Sequence, residues 1–346
     1  MNFSALHILH CANYEQFKYG SWFMNVDMKF HHGLIRNGHH VQAFSQRDVA
    51  RSENPFKNKK MGSGVANRRL FEMVENFQPD ILLLGHSELI TEKSLIELRQ
   101  RYPQMKVAMW WVDPIYIEKN LHYLKMRAQY CDVIFTTTGG KLLEEIASAG
   151  CVAAHIPNPV DSAVERYRAF ENSPWEHDLF FAGSDYNEPE RAELLLQLRD
   201  NHEGLRFRIH QALGAPRIHG ADYYNALSSC RMGLSLSRRF DVDWYSSDRL
   251  AQLMGNGLVT FSPKTAGLTK LFGENDLVWF DDYSDLEEKI DYYQNNIEAG
   301  LEIAQSGWEQ AHLVTNADRI TKFMIEVIEN REFSERYQWA EEVYGK

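Results

Sequence analysis

The feature that most limits the fold is a beat of short apolar runs, most of them followed by a stretch with helical spacing, sustained along nearly the whole chain. FSALHIL (3–9), HHVQAF (39–44), DILLLG (80–85), KVAMWW (106–111), DVIFTT (132–137) and VAAHIP (152–157) are brief and rich in aliphatic residues. Strands buried on both faces of a parallel sheet read this way, with crossover helices between them. The spacing predicts one such helix over Trp22–Arg36, stopped near Gly38. The beat pauses at PNPVDSAVERYRAFENSPWEHD (157–178), which holds three prolines. It resumes with DLFFAG (178–183), a helix over Pro189–Asp200, LRFRIH (205–210), MGLSLS (232–237), GLVTFS (257–262) and LVWF (277–280). The chain after Asn275 is mainly helical in pattern. Two βαβ arrays joined near residue 160 predict an α/β protein with two facing Rossmann-like domains. Ligands are then expected at the carboxyl ends of the strands, in the cleft between the arrays.

A length of 346 residues suits two domains, each with its own core. The net charge of −11 argues against a non-specific nucleic-acid binder. No run of 18 apolar residues occurs, so no membrane span is expected. MNFSALHILHCANYEQF lacks the basic start and long apolar core of a signal peptide. Cys11, Cys131, Cys151 and Cys230 are scattered, as reduced thiols of a cytoplasmic protein would be.

Several chemistries find no support. The nearest dinucleotide fingerprint, MGSGVAN (61–67), follows NPFKNKK rather than a strand and lacks its last glycine. GGK (139–141) continues with two leucines, so it is no nucleoside triphosphatase loop. DVD (241–243) reads as a solvated loop before it reads as a metal site. His31-His32 and His39-His40 read as helix-surface and strand-edge residues, because neighbours on a strand point to opposite faces. No metal and no cofactor are expected.

One stretch stands apart: SSDRLAQLMGNGLVTFSPKTAGLTKLF (246–272). Tyr245, Ser246, Ser247 and Arg249 crowd the head of a predicted helix, where free N–H groups and the positive dipole end favour an anion. Arg238, Arg239 and Arg249 add cations able to grip a diphosphate bidentately. An ordinary serine cap, with Arg249 paired to Asp248 or Asp243, explains the same residues.

From about Asp178 to Val327 the chain resembles the C-terminal domain of the group 1 glycosyl transferases, in particular the CgeB-like (spore-maturation-type) branch. The residues that carry the resemblance are DLFFAGSDYNEPERAELLLQL (178–198), YYNALSSCRMGLSLS (223–237), SSDRLAQLMGNGLVTF with the run on to residue 296, and HLVTNADRITKF (312–323). FEMVENFQPDILLLGHSE and HIPNPVD fit the front half and the linking segment. The resemblance implies a GT-B fold: an acceptor-side domain over 1–160, a donor domain over 161–325, and a helical tail over 326–346 that packs back on the first. It implies a metal-independent glycosyltransferase, retaining in stereochemistry, which moves a sugar from a nucleotide-sugar donor to a hydroxyl of a cell-surface glycan or glycoconjugate. Donor residues would be Gly183, Ser184, Arg238, Tyr245, Ser246, Ser247, Arg249 and Gln252. Relatives carry glutamate where Gln252 stands, and that residue faces the ribose. Two alternatives stay open: a catalytically silent nucleotide-sugar binder, and a sugar-nucleotide epimerase on the same fold.

On the acceptor side, Gly20 and Ser21 form a turn after the first strand, where glycine permits close approach to phosphate or acceptor. His86 and Asp113 follow the strands DILLLG and KVAMWW and are the candidates for acid-base work. A packed histidine and a turn residue before Pro114 are the plain readings of the same two positions. RSENPFKNKKMGSGVANRR (51–69) is basic in an acidic protein and predicts a mobile loop. Its Lys57, Lys59 and Lys60 would meet an anionic acceptor, or the inner face of a membrane carrying one, as a peripheral contact. A solvated basic loop is the plain alternative.

Overall fold

The computed structural model describes residues 5–186, 188–237, 239 and 241–345. The chain forms two compact units. In the first, β1 (His7–Ala12), α1 (Val26–Arg36), β2 (His40–Ser45), α2 (Gln46–Ser52), α3 (Ser63–Phe77) and β3 (Ile81–Leu84) come first. They are followed by α4 (Glu92–Arg101), β4 (Lys106–Trp111), α5 (Glu118–Arg127), β5 (Val133–Thr136), α6 (Lys141–Ala147) and β6 (Val152–His155). The second unit spans Asn158–Asn316. It holds β7 (His177–Ala182), α7 (Pro189–Asn201), β8 (Phe207–His210), α8 (Gly220–Ser228) and β9 (Cys230–Leu234). It continues with α9 (Asp248–Gly255), β10 (Val259–Pro263), β11 (Val278–Phe280), α10 (Tyr283–Asn295) and α11 (Ile297–Val314). The chain then returns to the first unit with α12 (Ala317–Ile328) and β12 (Val343–Tyr344).

The first sheet has the order β12-β6-β5-β4-β3-β1-β2 and is parallel except for β12, which runs antiparallel to β6. The second has the order β11-β10-β9-β7-β8 and is parallel throughout. Strand order reverses between β1 and β3 in one sheet and between β7 and β9 in the other. Crevices that take ligands open beyond the carboxyl ends of such strand pairs. The apolar runs become strands because both their faces are covered: all four residues of β3 and of β5 are buried. Among the described residues, no helix is long and apolar enough to cross a membrane.

Several boundaries differ from the sequence reading. β1 starts at His7 and runs on to Ala12. α1 begins at Val26 rather than residue 22, because the Asn25 side chain caps it by accepting from the Met28 N–H at 3.1 Å. The second unit ends at residue 316, not 325, since α12 packs on α1. A Cβ on Gly33 of α1 would lie 2.4 Å from the Ala317 carbonyl oxygen, so only glycine admits this approach. Asn37 donates to Asp318 O at 2.8 Å and Thr321 Oγ1 at 2.9 Å, fixing the same contact. The tail is not helical throughout, as it ends on β12.

His31 is not a plain surface residue. The Trp110 indole N–H donates to His10 Nε2 at 3.0 Å, and an indole nitrogen can only donate. Neutral His10 therefore carries its proton on Nδ1, which faces Tyr14 Oη at 2.9 Å. Tyr14 in turn donates to His31 Nδ1 at 3.0 Å. The three bonds run in one direction, and protonating either histidine breaks the order. Burial pushes His10 well below the usual histidine range and His31 down to about 4. Below about 6.5 the unfolded chain takes up protons that the folded one refuses, so this contribution to stability is full above that pH. It is lost as pH falls toward 4. We expect a melting temperature that drops over this interval, and a smaller drop in His31→Gln, which cannot protonate. Equal drops in the two proteins would show that His31 titrates as an ordinary histidine.

Candidate functional site

In the second unit, Arg249 lies in the first turn of α9 and reaches back across the β7–β9 switch point. Its Nε donates to Ala182 O, the last carbonyl of β7, at 2.7 Å, and its Nη1 donates to Leu236 O, just past β9, at 2.9 Å. Its guanidinium carbon sits 4.9 Å from the centre of the Phe181 ring. These bonds go to backbone carbonyls and, at 3.4 Å, to the Ser247 hydroxyl, so the pairing with Asp248 or Asp243 is replaced by a brace across two strands. Burial pulls Arg249 down to about 10, still a cation at neutral pH. Arg191, buried in α7, donates to the same Leu236 carbonyl at 3.1 Å and to Ser184 O at 2.5 Å. Two guanidinium groups thus share one carbonyl at the carboxyl edge of the sheet. Such a cluster holds like charges together at a cost that an anion relieves.

Ser247 is the N-cap of α9, yet no side chain caps the helix. Ser247 N–H donates to Ser237 Oγ at 3.3 Å. Ser246 is buried, and its carbonyl and hydroxyl accept from Asn158 Nδ2 at 2.9 and 3.3 Å. Tyr245 is buried, its N–H donating to Val242 O at 3.3 Å. Gln252 is turned inward: it accepts from the Tyr223 hydroxyl and donates to Asp248 Oδ2 at 2.5 Å. Both of its polar atoms are engaged. Ser184 Oγ accepts from Tyr186 N–H at 3.1 Å. Arg238 lies outside the described residues. A cavity of 440 Å³ borders this edge, lined among others by Arg191, Leu236, Ser237 and Arg239. Arg239 is paired with Asp241 at its rim.

Gly183 explains itself by contact. A Cβ there would stand 2.2 Å from Arg249 Nη2 and 3.0 Å from Phe181 Cζ. Gly183→Ala should therefore displace the guanidinium. We expect about 1–3 kcal/mol of lost stability, the range for forcing an extra methyl into a packed site, together with weaker nucleotide binding. A variant that melts and binds like wild type would show that Arg249 has room to move.

In the first unit the β1–β3 switch point presents His86, one residue past Gly85. Asn13 Nδ2 and Gln46 Nε2 both donate to the His86 carbonyl, at 3.0 and 2.5 Å. Its ring stacks on Trp111 at 4.2 Å between centres and meets the edge of Trp110 at 5.5 Å. The Val112 N–H points at His86 Nε2 at 3.4 Å, which leaves the proton of the neutral ring on Nδ1. That atom faces Asp113 Oδ2 at 3.6 Å. Burial holds His86 below the ordinary histidine range. The ring is thus packed and neutral, and the Asp113 side chain beside it is 59% exposed.

The structure brings together less on the rest of this side. Gly20 takes a φ of +84°, a left-handed turn with no atom near its Cβ direction. Ser21 Oγ donates to Lys18 O at 2.9 Å. The basic loop is shorter and more neutral than its sequence suggests. Arg51 belongs to α2, and Arg68 and Arg69 to α3, leaving 53–62 as loop. Lys59 pairs with Glu88, Arg47 with Glu88 and Glu15, Arg51 with Glu15, and Arg69 with Glu53 and Glu72. Lys57 instead donates to the Ser52 carbonyl at 3.2 Å. Among the described residues no three His, Cys, Asp or Glu side chains are grouped to hold a metal ion.

Residues 191–325 match the model of a family described as glycosyl transferase-like. No curated protein sequence matches the chain. Solved structures resemble it over nearly its full length. Sucrose-phosphate synthase from Thermosynechococcus elongatus is 12% identical over 94% of this chain and 98% of that one, with a TM-score of 0.57. The Anabaena protein HepE, solved with UDP and glucose, is 13% identical over 94% and 100%, at 0.54. A glycosyltransferase from Rickettsia africae is 10% identical over 95% and 99%, at 0.55. At these identities the likeness is one of fold, and the fold is the GT-B type.

Proposed function

We propose that the protein is a glycosyltransferase that moves a sugar from a nucleoside-diphosphate sugar to a hydroxyl group. The observation that carries this reading is the pair Arg249 and Arg191, joined on one carbonyl beside the uncapped head of α9. The glycosyl transferase-like match covers the same residues. Breaking the bond between the anomeric carbon and the diphosphate oxygen leaves negative charge on the diphosphate. Fixed donors aimed at that charge lower the barrier. The two guanidinium groups and the α9 amides supply them, so turnover is expected to survive a chelator. Loss of turnover with a chelator, restored by magnesium or manganese, would reassign Asp241 and Asp243 as ligands.

The resemblance of SSDRLAQLMGNG to the CgeB-like branch supports the same class, and the likeness to the group 1 transferases favours retention. The acceptor is a glycan or glycoconjugate; with retention the leaving diphosphate oxygen takes the proton of its hydroxyl, and with inversion Asp113 takes it. The tied position of Gln252 assigns it to support of α9 through Tyr223 and Asp248, with ribose contact left to neighbouring groups. Cell-surface polysaccharide assembly on the cytoplasmic side suits such a donor.

The test is a donor panel. HepE was solved with UDP-glucose, so UDP-sugars come first, then GDP- and CMP-sugars. Nucleotide release that depends on an added acceptor is the expected result. Thermal stabilisation by a donor without release would mean binding alone. A changed sugar with no release would mean epimerisation.

A further inference from the structure

We propose that residues 53–62 form a contact site for an anionic lipid surface. Phe56 and Met61 are 70% and 60% exposed, large apolar side chains held out from the first unit. Between them stand Lys57 and Lys60, the two lysines of the segment without a carboxylate partner. Every other basic residue from Arg47 to Arg69 except these two is paired with a glutamate. The charge that the sequence spreads over this region is thus confined to the two positions that flank the exposed apolar tips.

The loop is built to hold this pose. Asn54 is buried, and its Nδ2 donates to Ala50 O at 3.1 Å and Asn58 O at 2.6 Å. Its Oδ1 accepts from Phe56 N–H at 3.0 Å. Asn58 Oδ1 accepts from Lys60 N–H at 2.9 Å. Gly62 closes the loop so tightly that a Cβ would lie 2.0 Å from Ala50 O. Lys57 is held at φ +53°, a left-handed conformation that a lysine does not choose. A fixed loop with exposed apolar tips has already met the ordering cost of docking. Phe17 and Tyr19, exposed as well, line a cavity of 610 Å³ together with Ser52 and Glu53 at the foot of the loop.

The chemistry favours a bilayer over a protein or a soluble glycan. Apolar tips interleaved with ammonium groups match the boundary between acyl chains and anionic headgroups. The chain as a whole is acidic, with a net charge of −11, so an anionic surface repels other faces and selects this one.

The test floats the full chain with vesicles of phosphatidylcholine alone, or of equal parts phosphatidylcholine and phosphatidylglycerol. Binding to the mixed vesicles only, weakened by salt, is expected. Lys57→Asn with Lys60→Asn keeps a residue that tolerates the left-handed turn and removes both charges. It should bind about 30-fold more weakly, at about 1 kcal/mol per lysine. Phe56→Ser with Met61→Ser should lose about tenfold or more, from apolar area no longer buried. Absence of wild-type binding to the anionic vesicles overturns the proposal, as does wild-type affinity in either double variant. So does a wild-type dimer in sedimentation that the Phe56→Ser, Met61→Ser protein dissociates, because a second copy then covers the patch. Competition by soluble dextran sulfate that ignores the apolar substitutions also overturns it, assigning the lysines to a dissolved polyanion.

Discussion

Arg249→Ala will raise the dissociation constant for the nucleoside diphosphate by about tenfold to 150-fold, the equivalent of about 1.5–3 kcal/mol for hydrogen bonds to a charged group. The expectation follows from where the cation stands. Its Nε and Nη1 are bound to Ala182 O and Leu236 O, and its Nη2 lies against Gly183, where a Cβ would stand 2.2 Å from it. Arg191 holds the neighbouring position on the same carbonyl. Removing Arg249 also strips two carbonyls of a donor, so stability should fall by about 1–3 kcal/mol. Binding must therefore be measured well below the melting temperature. Arg249→Lys separates the two roles: a point charge remains, but the planar brace across two strands is gone. It should bind nucleotide more tightly than the alanine variant and melt well below wild type. A folded Arg249→Ala protein with the wild-type dissociation constant would remove the arginine from the donor site.

The strand beat was legible because burial on both faces leaves no alternation to misread, and every sheet strand but β12 falls on a run visible in the sequence. β12 has two residues, too few for any period. α2 escaped notice because seven polar-rich residues, QRDVARS, bury only part of one face. Partners distant in sequence were invisible on principle. Nothing near Arg249 announces the carbonyls at positions 182 and 236, whereas two aspartates nearby offer a false match. Nothing in the local sequence distinguishes Arg191, and only its burial against the sheet edge marks it. The same holds for the basic loop: Arg47, Arg51 and Lys59 are paired by Glu15 and Glu88, each tens of residues upstream or downstream, while Lys57 and Lys60 keep their charge. Local charge counts describe a segment, while fields depend on what the fold brings beside it.

Asp113→Asn should lower kcat by about 10²-fold or more, the lower end of what a positioned proton acceptor contributes, with the nucleotide dissociation constant unchanged. Asp113 extends from the turn after β4 and is exposed, while the group behind it is fixed. His86 is stacked on Trp111, its carbonyl is held by Asn13 and Gln46, and its Nε2 faces the Val112 N–H. The ring can therefore only offer its Nδ1 proton to the carboxylate. It faces Asp113 Oδ2 at 3.6 Å and stays neutral, since burial holds it below the usual histidine range. Asparagine keeps the size and one acceptor oxygen but loses the negative charge. His86→Gln should cost less than Asp113→Asn, because an amide can still donate toward the carboxylate. The order matters: a histidine acting as the base itself would make His86→Gln the more damaging change. The anomeric configuration of the product, read by NMR, completes the test. If Asp113→Asn stays within about fivefold of wild type and configuration is retained, the leaving diphosphate oxygen takes the hydroxyl proton, and Asp113 has no part in the chemical step.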